Sequence, residues 1–303
     1  MNAYLQGYVE WMRAHAPDFS DLSYVVDCSN GMASLLAREL FPGAVVINDV
    51  LDGRFPNHSP NPLKADAREQ AASLVRECTL DCGIIFDGDA DRCMFVDERG
   101  AFVQPDYLIP VVARGCGTVK GRKIIHDVRT SRGAIEAIRE DGGEPLMVPV
   151  GHAFAKPALR ESGALCGGEL AGHYYFSDFH SCDSGVLAAL RILGQIAKAK
   201  AAGVSFSGMM QPISGRYANS GEMNFKVEDK DSAIGRMLGA ASRELPREIS
   251  RSEIDGVRLE YAEGWVNVRK SNTEPYLRLI IECDGAGRLD EWTAVLKGAL
   301  DAR

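Results

Sequence analysis

The chain opens with a strand–helix–strand alternation, and that alternation limits its fold more than any other feature. Tyr24-Val25-Val26-Asp27 is a short apolar run of the kind buried on both faces of a parallel sheet. Ser29-Asn30-Gly31 breaks it, Met32 to Phe41 has helical spacing, and Ala44 to Ile47 is a second strand. Parallel neighbours need a crossover of this length, so the segment is a βαβ unit of a mostly parallel sheet. The pattern recurs in the predicted strands Gly83 to Phe86, Lys123 to Asp127 and Glu144 to Val150. Predicted helices cover Ser131 to Glu140 and Asp183 to Ala202, and Tyr4, Leu5, Tyr8, Val9 and Met12 mark another near the start.

Beyond about Gln211 the texture changes. Glu222 to Val227, Arg258 to Tyr261, Trp265 to Arg269 and Leu277 to Cys283 alternate polar and apolar residues, with helices predicted at Lys230 to Glu244 and Leu289 to Leu300. That is an α+β domain with a half-solvated antiparallel sheet. The expected division is 1–102 and 103–212 as two mixed-sheet α/β/α domains, then 213–303 as the α+β domain. No internal repeat is visible.

Composition excludes several classes. With 303 residues, 46% of them hydrophobic, the chain can bury two or three cores. No apolar run reaches the ~20 residues of a membrane span, and no basic-then-apolar leader is present, so a cytoplasmic protein is expected. The net charge of −8 argues against nucleic-acid binding. Only Cys78 and Cys82 of the eight dispersed cysteines lie close together, without the second pair a zinc site needs, so reduced thiols are expected.

Three loops carry chemistry. Asp87-Gly88-Asp89-Ala90-Asp91-Arg92 directly follows a buried strand, at the carboxyl end where open α/β sheets place ligands. Carboxylates on alternate positions repel unless a hard cation such as Mg²⁺ joins them. An EF-hand would need glycine where Arg92 stands, and helical flanks. A phosphatase with Asp87 as nucleophile, and a plain solvated turn, remain open.

Arg269-Lys270-Ser271-Asn272-Thr273-Glu274-Pro275, with Arg278 beyond, places two guanidinium forks and two hydroxyls around a turn. That is a phosphate cradle, or else a solvated turn between strands. Gly167-Gly168-Glu169-Leu170-Ala171-Gly172-His173 offers a glycine-flanked carboxylate that can lie in the open for sugar hydroxyls, while His173 is read as a phosphate ligand, an acid/base or a structural residue. Lys156 in Gly151-His152-Ala153-Phe154-Ala155-Lys156 is a cation within reach of a phosphate or a solvated lysine.

In this order the loops resemble the α-D-phosphohexomutase superfamily, its phosphomannomutase/phosphoglucomutase branch, over essentially the whole chain. Val25 to Gly31, Phe55 to Pro62, Asp127-Val128-Arg129 and Ser220-Gly221-Glu222 match as well. The resemblance implies domains II, III and IV of a four-domain enzyme that moves phosphate between C1 and C6 of a hexose, using a phosphoserine of its first domain. It makes Asp87, Asp89 and Asp91 the Mg²⁺ ligands, Arg92 a contact of the reacting phosphate or sugar, and Glu169 the reader of sugar hydroxyls. Lys156 and His173 would line the site, and Arg269, Ser271, Asn272, Thr273 and Arg278 would grip the distal phosphate.

Three departures stand out. No Thr-Ala-Ser-His-Asn-Pro serine loop occurs in the sequence, Ala171 replaces the serine of the sugar loop, and Asp183-Ser184-Gly185 stands where Asp-Asp-Gly is usual. The expectation is a polypeptide that binds hexose phosphate, is inactive alone, and takes a phosphoserine domain in trans. Surface that would face such a domain could instead support self-association. A noncatalytic sugar-phosphate-binding protein is the alternative.

Overall fold

The structure is a computed structural model, and it describes residues 3–271 and 275–301. The first sheet comprises β1 (Tyr24–Asp27), β2 (Val45–Ile47), β3 (Cys82–Phe86), β4 (Cys93–Asp97) and β5 (Phe102–Val103), in the order β2-β1-β3-β4-β5. The second comprises β6 (Lys123–Asp127), β7 (Glu144–Val148), β8 (Cys166–Gly168), β9 (Tyr174–Phe176) and β10 (Cys182–Asp183), in the order β10-β9-β8-β6-β7. In each, the first three strands are parallel and the last two antiparallel.

Renumbered within its own sheet, each order is the same. The two α/β units are therefore a structural repeat that the sequence does not display. Both first strands end in a buried aspartate, Asp27 and Asp127. Each Oδ1 accepts the backbone N–H two residues on, from Ser29 at 2.8 Å and from Arg129 at 2.7 Å. Both third strands lead into a carboxylate-bearing hairpin, at Asp87 and at Glu169. What the repeat preserves is backbone geometry and a few polar anchors, while the apolar positions have drifted freely within volume limits.

The third sheet holds β11 (Ala218–Asn219), β12 (Met223–Lys226), β13 (Ser250–Ser252), β14 (Val257–Glu260), β15 (Gly264–Lys270) and β16 (Tyr276–Cys283), paired antiparallel throughout. One apolar core runs from Val9 through Phe41 and Phe95 to Leu190 and Ile213, so the two α/β units share it. The C-terminal domain has its own core around Met237, Leu277, Trp292 and Leu296. Leu170 packs on Trp265 and Ile280 where the second unit meets the third sheet.

Polar contacts fix that junction. Arg132 donates to the carbonyls of Tyr261 at 2.9 Å and Gly264 at 2.8 Å, and its Nη2 lies 2.8 Å from Glu260. Arg258, on β14, donates back to the carbonyls of Val128 and, at 3.2 Å, Thr130, with its guanidinium 3.7 Å above the Trp265 ring. Buried guanidinium groups that are multiply bonded hold an orientation more firmly than apolar contact alone.

Three sequence expectations change. Met32 to Phe41 is not one helix: it is a 3-10 turn, Met32–Leu35, followed by a short helix, Ala37–Leu40. Met32 N–H is drawn to the Gly88 carbonyl at 2.9 Å, and that tie tightens the first turn. The helix expected from Asp183 starts at Gly185, because Asp183 belongs to β10 and the Ser184 hydroxyl caps the helix by accepting from Leu187 N–H. Two helices, Asp66–Cys78 and His152–Ser162, add to those expected; the first turns Ala67, Ala71, Ala72 and Val75 inward, an apolar stripe built mostly of alanine.

Candidate active site

The β3–β4 hairpin carries the acidic loop. Ala90 at its tip takes φ +62°, an unusual left-handed conformation for alanine, and Ala90 N–H bonds the Asp87 carbonyl. The loop is wedged between two glycine contacts. A Cβ on Gly31 would sit 2.4 Å from the Gly88 oxygen, and one on Gly185 would sit 2.6 Å from the Arg92 carbonyl carbon. Neither position admits a side chain.

Asp87 is 2% exposed and pairs with Arg92 Nε at 2.7 Å, while Asp89 is exposed. Burial, with the Asp91 charge adding to it, lifts the Asp87 carboxyl above the usual carboxylate range despite Arg92. One oxygen from each of Asp87, Asp89 and Asp91 lies within 4.8 Å of the others. Oxygen-only donors, crowded and short of countercharge, suit a hard divalent cation.

His173 lies directly beside this loop. It pairs with Arg92 in an isolated antiparallel bridge, and its Nδ1 is 3.7 Å from Asp91. Asp183 ties it down: the Asp183 carboxylate holds His173 Nδ1 at 3.0 Å and Lys156 Nζ at 2.8 Å. Lys156 stands on the helix His152–Ser162 and not in a loop. Burial depresses His173, but Asp183, Asp91 and Glu169 outweigh it and raise the imidazole above its ordinary pKa.

Glu169 corrects the expectation that it lies in the open. It is 2% exposed, accepts the Tyr175 hydroxyl, and sits 3.7 Å from Arg129 Nη2. The tight hairpin causes this, because Glu169 N–H bonds the His173 carbonyl and Gly172 N–H bonds that of Glu169, folding the carboxylate back on the sheet. Burial and the neighbouring Asp127 charge push its pKa up.

On the C-terminal domain, Arg269 and Arg278 stand directly opposite each other on β15 and β16. Like charges in register repel, and Glu222 lies across both, 2.9 Å from Arg269 and 3.0 Å from Arg278. Arg269 is 3% exposed, so its guanidinium is committed inside the domain, whereas Arg278 retains partial access, its side chain 19% exposed. Ser271 is buried, with its N–H on the Tyr276 carbonyl. Asn272 and Thr273 lie outside the described residues.

Arg129 joins the walls. Its guanidinium is 2.6 Å from Asp127, 3.7 Å from Glu169 and 3.5 Å from Glu222. Burial alone would raise Glu222, but Arg129, Arg269 and Arg278 hold it below the ordinary range. A cleft of about 380 Å³ opens here, bordered by Arg129, Leu170, Glu222, Asn224, Arg68 and Phe102. Beneath this cleft the Glu169 hairpin and the arginine pair are joined through Arg129 and Glu222, and the acidic loop meets the same hairpin at His173.

Arg129, Glu222 and Asp183 are hubs that sequence reasoning did not put in the site, although each lies in a quoted segment. An Asp-x-Arg just past a buried strand, and a glycine-flanked Glu222 before β12, were the available signals. Among the described residues no helix is long and apolar enough to cross a membrane.

Two α/β/α units of identical strand order, followed by an antiparallel domain that completes a charged cleft, define the class of protein. Family models agree. The phosphoglucomutase/phosphomannomutase alpha/beta/alpha domain II matches residues 2–100, domain III matches 104–213, and the C-terminal domain matches 222–297. The chain belongs to this phosphoglucomutase/phosphomannomutase family, within the phosphohexomutase superfamily.

A phosphomannomutase of Vibrio cholerae serotype O1 is 37% identical over 272 residues, covering 86% of this chain and 58% of that protein. The phosphohexose mutases of Xanthomonas campestris pv. campestris (strain B100) are 35% identical over 275 residues, 89% of this chain and 60% of the relative. A crystal structure of a phosphoglucomutase/phosphomannomutase family protein from Burkholderia thailandensis superposes with TM-score 0.84 at 29% identity, covering 98% of this chain and 64% of that one. The chain therefore spans about 60% of the length of the curated relatives it matches.

Proposed function

We propose that this chain supplies the cation, sugar and distal-phosphate walls of a cytoplasmic phosphohexomutase acting on hexose 1- and 6-phosphates. The observation that carries this reading is the run of charged contacts from Glu169 through Arg129 to Glu222 and Arg278, with His173 of the Glu169 hairpin 3.7 Å from Asp91. Such a surface matches a ligand with hydroxyls in the middle and phosphate at an end.

Asp87, Asp89 and Asp91 would hold Mg²⁺, which when bound neutralises charge on a transferring phosphoryl group. Arg92, anchored on Asp87, orients toward that phosphoryl group. Lys156 and His173, both fixed by Asp183, face the leaving or attacking sugar oxygen; since His173 Nδ1 is committed, its Nε2 is the nitrogen that exchanges a proton. Glu169 accepts from sugar hydroxyls in place of Tyr175. Arg278 takes the distal phosphate together with Ser271; Asn272 and Thr273 are assigned to the same phosphate from the sequence alone, and Arg269 positions Glu222. Phosphoryl donation is assigned to a phosphoserine outside these residues, and the domain limits 1–102, 103–212 and 213–303 are part of the proposal.

Burial and the Arg92 ion pair make Asp87 a poor nucleophile, which weighs against a phosphatase. Calorimetry with glucose 1-phosphate or mannose 1-phosphate and Mg²⁺ tests the reading. Binding without turnover by this polypeptide, and turnover on adding a phosphoserine-bearing domain, is the expected pair of results. Arg278→Ala should weaken binding by roughly 1.5–3 kcal/mol, the worth of hydrogen bonds to charged groups. Release of inorganic phosphate by the chain alone would overturn the assignment.

A further inference from the structure

The cations assigned so far to the site each have a carboxylate. Arg92 pairs with Asp87, Lys156 with Asp183 and Arg129 with Asp127, while Arg269 and Arg278 share Glu222. Arg68 borders the same 380 Å³ cleft and has none: among the described residues no ion pair or hydrogen bond engages its guanidinium.

Arg68 stands on the helix Asp66–Cys78 and is half-buried. Its Cζ lies 3.7 Å from the centroid of the Phe102 ring, on β5, so the fork rests flat on the aromatic face. Stacking fixes the plane of the fork and leaves its N–H edge, the part that grips an oxyanion with two parallel bonds, unused. Burial lowers the pKa of this guanidinium, with no neighbouring carboxylate to offset it. A cation drawn out of water without a countercharge is costly, and a ligand anion is the partner that would relieve it.

The rest of the lining suits such a ligand. Leu63, Pro105 and Leu170 supply apolar wall, and the Asn224 side chain, on β12, makes no hydrogen bond among the described residues. Glu222, the carboxylate of this lining, is already neutralised by Arg129, Arg269 and Arg278. We propose that this corner of the cleft is an anion subsite separate from that of Arg278, in which Arg68 binds the head of a small organic phosphate and Leu63, Pro105 and Leu170 receive its apolar body. A bare inorganic ion would leave that wall uncovered. The subsite does not depend on the hexose-phosphate reading of the remaining cleft.

Calorimetry with phenyl phosphate tests this, on the full chain without Mg²⁺ and in an Arg278→Ala background that removes the distal-phosphate subsite. Binding is expected, tighter than that of inorganic phosphate. Adding Arg68→Gln should weaken it roughly tenfold or more, through the lost charged hydrogen bonds. Adding Phe102→Ala should weaken it roughly threefold, as the fork loses its rest. Arg76→Gln, on the same helix and paired with Glu69, should leave it unchanged. Should Arg68→Gln fail to fold, Arg68→Lys decides: it keeps the charge without the fork, and should still weaken binding several-fold. No binding of phenyl phosphate, equal binding with and without the Arg68 substitution, an equal loss in Arg76→Gln, or equal affinity for inorganic phosphate overturns the proposal.

Discussion

The two α/β units repeat one scaffold but anchor it with different chemistry. In the first, Asp27 at the end of β1 pairs with His58 at 3.0 Å, a partner that titrates near neutrality. In the second, Asp127 at the end of β6 pairs with Arg129 at 2.6 Å, a partner that stays charged. The first anchor braces the acidic loop from behind: the loop held by His58 carries Phe55 and Pro60, which press on Gly88. The second enters the cleft itself, since Arg129 also faces Glu169 and Glu222. A residue that meets ligand needs a fixed charge, whereas one that only supports a loop can make do with a conditional one.

Arg129→Ala should break the comparison most severely. It leaves the fully buried Asp127 without its countercharge, held only by the backbone N–H groups of residue 129 and Leu170, and losing one member of a buried pair costs about 3–5 kcal/mol. Urea unfolding measures this, and a cost below 1 kcal/mol would show that Arg129 is not the anchor.

The pH dependence should split the units next. His126, buried on β6, is pushed down to about 4, mainly by burial. The unfolded chain therefore binds a proton that the fold refuses, so stability falls as pH drops from about 6.5 to about 4, by about 3 kcal/mol in total. His58 has the opposite sign. The Asp27 hydrogen bond, against burial and helped by the Ser59 carbonyl and the Asp66 charge, raises it. Its contribution is complete below the ordinary histidine pKa and fades as pH rises through the raised one. His126→Gln should remove its acid contribution, and His58→Gln its share of the alkaline contribution that His173 also makes, at a cost of about 1–3 kcal/mol for the lost buried hydrogen bond.

The smallest stability effect should come from Asp89→Asn, within about 0.5 kcal/mol, because the side chain is exposed. Its effect on Mg²⁺ affinity should be roughly tenfold or more, since removing one charge from a carboxylate set weakens a hard-cation site. Calorimetric Mg²⁺ titration alongside thermal melts separates the two.

Much of the fold was legible because β1, β3 and β6 are dense in β-branched residues and end abruptly at aspartate or a glycine-bearing turn. The later strands of the second sheet were not, since the parallel β8 and the antiparallel β9 and β10 are only two or three residues long and Cys166-Gly167-Gly168 has almost no side chain to show periodicity. The acidic loop and the arginine pair were legible as local clusters of charge. Arg129, Glu222 and Asp183 were not, because their importance comes from partners 40 or more residues distant or across a hairpin, as in the bonds of Glu222 to Arg269, 47 residues away. The burial of Glu169 was missed for the same reason: Tyr175 and Arg129 meet it only once the sheet has formed.

The central claim is that the acidic loop and Arg278 address one ligand. Replacing Mg²⁺ with Mn²⁺, which accepts the same oxygen donors, and following the phosphorus NMR signal of bound glucose 6-phosphate tests it directly. Strong paramagnetic broadening that disappears in both Asp89→Asn and Arg278→Ala is the predicted result. Binding that requires Arg278 but shows the same phosphorus signal with and without the acidic loop's cation would contradict it.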